Sequence, residues 1–183
     1  MALIQSLNLP LNSQIIDFAL LGTDNITYGP QDFNDKKLLV IVFTCNHCPY
    51  AVASWPTLIA LQKIYANDGV QFIAINPNDA INYPEDSFEN MKIIQKKTGI
   101  NFPYLYDKTQ AVAKAYQAQC TPDIYVFDAS RKLKYHGRIN DNWQAPQKVT
   151  REDLKDAINA LLQGSDPSST EQLPSMGCSI KWK

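Results

Sequence analysis

An α/β domain is what this 183-residue sequence predicts, with a core sheet, helices on both of its faces, and an antiparallel hairpin added late in the chain. Three observations carry the prediction. The runs KLLVIVFT (residues 37–44) and VQFIAIN (70–76) are apolar on both alternating faces, as in strands buried on both sides. Segments with apolar residues at three- and four-residue steps stand between the strand-like runs, which implies parallel pairing through helical crossovers. DIYVFD and KLKYHGRI, joined by ASR, read as two antiparallel strands.

The elements follow in order. Extended pieces at residues 15–20 and 26–28 flank the turn residues Gly22, Asp24 and Asn25, as in a hairpin. After LLVIVF a helix is expected over residues 49–66, presenting Trp55, Leu58, Ile59, Gln62 and Tyr65, with Pro56 as a kink. VQFIAIN leads into the turn-rich PNDAINYP. Asp86 with Glu89 is expected to cap a helix carrying Phe88, Met91 and Ile94 on one side. FPYLY (102–106) reads as a short strand and residues 109–116 as a short helix. After the hairpin, Thr150 with Asp153 forms a capping-box pattern ahead of Leu154, Ile158, Leu161 and Leu162. From Gly164 the composition turns polar, GSDPSSTEQLP. This divides the chain into a domain of residues 1–163 and a tail of residues 164–183 that carries Cys178.

Composition excludes several classes of function. Apolar residues make up 45% and charged residues 19%, ordinary for a soluble globular chain. The net charge of -1 offers no basic field for nucleic acid. The longest apolar run, LLVIVF, is far short of a membrane span, so no membrane partner is expected. MALIQSLNLPLNSQ lacks the basic and apolar regions of a signal peptide, so a cytoplasmic location is expected. Stable disulfides are rare there, which makes Cys45, Cys48, Cys120 and Cys178 candidates for catalysis, metal binding or plain burial.

The stretch FTCNHCPY (43–50) places Cys45 and Cys48 where a buried strand ends and a helix begins. Sites form at the carboxyl ends of strands in open α/β sheets. A helix N-terminus has free N–H groups and a partial positive charge, which lower the pKa of a thiol there. His47 can add a donor or a charge, which would make the pair more oxidising. Two cysteines at this spacing can also close a disulfide, so each can resolve a mixed disulfide on the other. Pro49 fits the first helical turn and holds Cys48 out of helical conformation, at the mouth of the helix. Zinc is the competing use of such a pair. It takes four ligands in structural sites, and Cys120 and Cys178 stand singly, so no metal and no other cofactor is expected.

These residues resemble the thioredoxin superfamily, and within it the peroxiredoxin-like redoxin branch (alkyl hydroperoxide reductase and thiol-specific antioxidant type). The similar segments are QIIDFALLGTDNITYGPQDF at the N-terminal hairpin, LLVIVFTCNHCPY at the active-site strand and helix, CTPDIYVFD, RINDNW and GCSIKWK. The resemblance implies a thioredoxin-like fold with a central mixed sheet and an N-terminal redoxin hairpin. It implies that Cys45 is the attacking thiol and Cys48 the resolving one, and that Thr121-Pro122 is cis and faces them. Thr121 would then offer its backbone edge to an incoming peptide. Cys48-Pro49 is also similar to a peroxidatic cysteine and its proline.

The chain departs from both patterns. Cys45 stands where peroxiredoxins carry a threonine, no arginine stands at the start of PDIYVFD, and Leu39 stands where thioredoxins bury an acid. Fewer donors for a peroxide oxygen argue against efficient peroxide reduction. The expected activity is therefore thiol–disulfide exchange through Cys45 and Cys48, with His47, Pro49, Thr121 and Pro122 in support. The partners would be proteins bearing disulfides or dithiols, or small thiols. The alternatives are a peroxidase with Cys48 as the attacking group, acting on peroxides, and a non-catalytic zinc module. Cys178 and Cys120 are additional candidate redox thiols, each with a packing role as the plainer expectation. His136 is expected to be a surface or packing residue. Asp141, Asn142 and Trp143 are expected in a loop near the site, with Tyr50 lining a groove.

Overall fold

The computed structural model describes residues 3–7, 9–167 and 172–183. Its strands are β1 (Leu3–Gln5), β2 (Leu20–Gly22), β3 (Thr27–Tyr28), β4 (Leu38–Phe43), β5 (Val70–Asn76), β6 (Tyr104–Tyr106), β7 (Cys120–Thr121), β8 (Asp123–Phe127), β9 (Leu133–Gly137) and β10 (Met176–Ser179). Its helices are α1 (Pro49–Tyr65), α2 (Phe88–Thr98), α3 (Ala111–Ala115) and α4 (Asp153–Leu162). Seven strands form a mixed sheet in the order β3-β2-β6-β5-β4-β8-β9, and β1-β10-β7 form a second, small sheet.

β4 lies at the centre, buried along its whole length. It pairs parallel with β5 and antiparallel with β8. Successive side chains of a strand point to opposite faces, so β4 feeds two cores. Val40 and Val42 meet Trp55 and Leu58 of α1, Met91 of α2 and Leu154 and Ile158 of α4. Leu39, Ile41 and Phe43 meet Ile73, Tyr116 and Tyr125 on the other face. Each such side chain, fully buried, contributes roughly 1.5–3 kcal/mol. Leu39, at the position of the thioredoxin acid, is thus an ordinary core residue. Among the described residues no helix is long and apolar enough to cross a membrane.

Three local expectations are corrected. The first hairpin strand is Leu20–Gly22, with Leu20 opposite Tyr28. Residues 14 and 15 run instead against the turn between β8 and β9, where the Ile15 N–H donates to the Arg131 carbonyl at 2.8 Å. Ser87, not Asp86, caps α2: its hydroxyl accepts from the Asn90 N–H. α4 has no side-chain cap, because the Thr150 hydroxyl is engaged by Asp141 and Asp153 is held by Arg138 and Arg151. His136, expected at the surface or in packing, packs: it is buried, its Nε2 lies 2.9 Å from the Asp123 carboxylate, and its ring stacks on Tyr125.

The polar stretch after Gly164 falls partly on residues 168–171, outside the described residues. Beyond it, β10 inserts between β1 and β7, with Cys178 opposite both Leu3 and Thr121. The Ser175 hydroxyl donates to the Gly137 carbonyl at 2.8 Å. On the far side of β10, Ile180 enters the second core, and the Lys181 backbone bonds to Asn78, Asp79 and Gln110.

Candidate functional site

Residues 44–48 bridge the end of β4 and the start of α1. Cys48 is the N-cap of α1, with extended backbone (φ -68°, ψ 124°), and Pro49 opens the helix. The proline disfavours helical conformation in the residue before it and needs no hydrogen bond for its own nitrogen at the first turn. Local sequence therefore puts the Cys48 sulfur at the helix mouth.

Cys45, Cys48, Ala51 and Cys178 form one buried cluster, with Tyr50 packed against it. The Cys45 sulfur lies 3.3 Å from the Thr121 hydroxyl, and the Cys48 sulfur 3.2 Å from the Thr121 carbonyl oxygen. The Thr121-Pro122 peptide bond is cis, as the resemblance implies. All four cysteines are free thiols.

The thiols are not equivalent. Cys48 is held well below the ordinary thiol range, first by a hydrogen bond from the Cys45 thiol. The Cys178 thiol and the Ala51 and Cys178 N–H groups add to this, while burial opposes it. Cys45 is pushed well up because it donates to Cys48, is buried, and faces the Asp86 carboxylate. Burial and the hydrogen bond to Cys48 push Cys178 up as well. Cys120, the fourth, is raised by burial and then by Asp123. Its sulfur points to the Pro122 carbonyl at 3.6 Å. Within the cluster, therefore, Cys48 is shifted down while Cys45 and Cys178 are shifted up.

His47 lies in the loop between the two cysteines. Its Nδ1 lies 2.6 Å from the Asp86 carboxylate, and its ring stacks on Tyr83. Asp86 itself was the residue missed. It is fully buried and accepts from the Asn46 N–H at 2.7 Å and the Asn78 side-chain amide at 2.7 Å. The Tyr104 hydroxyl donates to the Asn46 side-chain oxygen at 2.9 Å. A buried, multiply bonded carboxylate of this kind fixes the loop that carries the two cysteines. Asp86 and Ser87 are equally good cap residues by type, so no local signal showed that Ser87 caps α2 and Asp86 faces inward.

Cys45, His47 and Asp86 bring ligand atoms within 4.8 Å of one another. The His47 Nδ1 already serves Asp86, so this is a hydrogen-bonded loop before it is a metal cradle.

Beside Pro122 lies a cavity of about 250 Å³, lined in part by Tyr50, Thr57, Arg138, Asp141, Trp143 and Met176. Trp143 sits on Tyr50 with ring centroids 3.8 Å apart, so the Asp141–Trp143 loop does meet the site. The Thr121 edge expected to receive a peptide is occupied: β10 is paired to it. A side chain at Gly177 would collide with the Thr121 carbonyl, so only glycine allows this approach.

A family model described as Redoxin matches residues 10–158. A crystal structure of an uncharacterized conserved protein from Geobacillus kaustophilus is 45% identical, with a TM-score of 0.94, covering 100% of this chain and 97% of that one. A hypothetical protein from Sinorhizobium meliloti is 39% identical, with a TM-score of 0.93 and 98% of each chain covered. A thiol:disulfide interchange protein of the thioredoxin family from Chlorobium tepidum is 18% identical, with a TM-score of 0.62, covering 87% of this chain and 99% of that one. The fold is thioredoxin-like. Among curated proteins none matches significantly.

Proposed function

This chain belongs to the redoxin family, and from that premise we propose that it is a thiol–disulfide oxidoreductase working through Cys48 and Cys45. The observation that carries the reading is the Cys48 sulfur at the mouth of α1, in one buried cluster with the Cys45 thiol and with both sulfurs against Thr121. The Cys48 thiolate attacks a substrate disulfide. A Cys48–substrate bond forms, the substrate S–S bond breaks, and one substrate thiolate leaves and takes up a proton. Cys45 then loses its proton and attacks the Cys48 sulfur. The Cys45–Cys48 bond forms and the second substrate thiolate leaves. The substrate gains two electrons, the protein loses them, and an external thiol restores the dithiol.

The other residues hold this geometry. Pro49 sets the helix mouth and Thr121 contacts both sulfurs. Asp86 anchors the loop through Asn46 and His47. Both reactive sulfurs are fully buried, so the Tyr50–Trp143 pair is the cover a substrate displaces, with the cavity beside Pro122 receiving part of it.

A peroxidase is the second reading, favoured by Cys48-Pro49 at the helix mouth. It is opposed by Cys45 standing where peroxiredoxins carry a threonine and by the lack of an arginine at the start of β8. The two readings separate on one assay: reduced wild type, Cys45→Ser and Cys48→Ser mixed with a small aromatic disulfide or with hydrogen peroxide. Wild type is expected to reduce the disulfide quickly and peroxide slowly. Cys48→Ser is expected to lose at least about tenfold in rate, since an ordinary thiol is only a few per cent ionised near pH 7. Rapid build-up of sulfenic acid on Cys48 in Cys45→Ser would instead establish the peroxidase.

A further inference from the structure

We propose that Cys178 is a third redox thiol, positioned by β10 to form a disulfide with Cys48. The inference rests on the exchange reading above and extends it to a residue outside the CxxC pair.

The argument is geometric. Three of the four cysteines share one buried cluster, although Cys178 is separated from the others by most of the chain. The strand carrying it is fixed on every side. β1 holds one edge, β7 the other, Ser175 ties its entrance to Gly137, and the Lys181 backbone ties its exit to Asn78, Asp79 and Gln110. The register sets Cys178 opposite Thr121, whose carbonyl lies 3.2 Å from the Cys48 sulfur. Gly177 lets the strand come this close. A strand held only for packing would be served by any small apolar residue here, whereas this one turns a thiol onto the group best able to react with it. β10 occupies the edge where a substrate peptide would pair, and it presents a sulfur to Cys48 as a substrate would.

The reaction balances without a further reagent. In a mixed disulfide between Cys48 and a substrate, Cys178 loses its proton and attacks the Cys48 sulfur. The Cys48–Cys178 bond forms, the bond to the substrate breaks, and the substrate leaves as a thiol with that proton. Cys45 can later attack Cys48, returning Cys178 to the thiol and leaving the Cys45–Cys48 disulfide. Cys178 and Cys45 are thus alternative resolving thiols for one attacking group.

The test uses glutathione disulfide as the probe on reduced, full-length Cys45→Ser, with Cys45→Ala in parallel so that misfolding of one variant leaves the experiment intact. Circular dichroism checks the fold. Samples are quenched in acid over time and mapped by mass spectrometry. The expected result is a glutathione adduct on Cys48 that decays to a Cys48–Cys178 disulfide within the monomer, and complete loss of that decay when Cys178→Ser is added. A persistent adduct on Cys48 with Cys178 free would overturn the proposal and leave the exchange reading standing. Neither adduct nor disulfide in folded protein would overturn both.

Discussion

Cys48 owes its chemistry to position rather than to any single partner. Pro49 holds it out of the helix at the mouth of α1, Thr121 contacts its sulfur, and Cys45 and Cys178 share its buried cluster. Its pKa is depressed, so the thiolate persists as pH falls and is lost only on passing the lowered value. Ultraviolet absorbance of thiolate in the reduced protein should therefore remain at neutral pH and vanish only in acid. In Cys48→Ser it should be missing at neutral pH, where a free cysteine near pKa 8.5 is mostly protonated. A wild-type band that titrates like free cysteine would contradict this. The CxxC pair and its helix-mouth position were legible in FTCNHCPY because they depend on a few adjacent residues. The Asp86–His47–Asn46 network was not, because residues 39 and 40 positions apart meet there only through the fold.

At the scale of elements, β5 was readable to the residue and β4 to within one residue at each end, since strands buried on both faces are largely apolar. The caps of α2 and α4 were misread because competing acceptors sat next to the true boundary, and only tertiary partners chose between them. β10 was invisible. MGCS has no strand alternation, and its pairing is with strands at residues 3–5 and 120–121. Its one local sign was Gly177. Gly177→Val should drive β10 off Thr121 and cost about 1–3 kcal/mol from forced overlap. Denaturant unfolding reads the loss, and Cys178 and Cys48 should become faster to alkylate in the folded protein. Unchanged stability and unchanged alkylation would mean that the strand does not bind as closely as described.

At the scale of the molecule, the mixed sheet with a core on each face is a rigid frame. The reactive loop is placed at the carboxyl end of its most buried strand. Helices on both faces follow from the alternation of elements, and that much the sequence pattern conveys. The closure of the site by the chain's own C-terminal segment does not follow from any local pattern, because it depends on where the tail lands after the rest has folded. The account stands on Cys45 and Cys48 acting as one redox unit. The direct measurement equilibrates wild type in glutathione buffers from reducing to oxidising, quenches in acid, then denatures, alkylates and maps each cysteine. Cys45 and Cys48 should lose reactivity together in a single two-electron transition, with Cys120 still alkylated. If both remain fully alkylated across the whole range while the protein stays folded, the dithiol is not redox-active and the account is wrong.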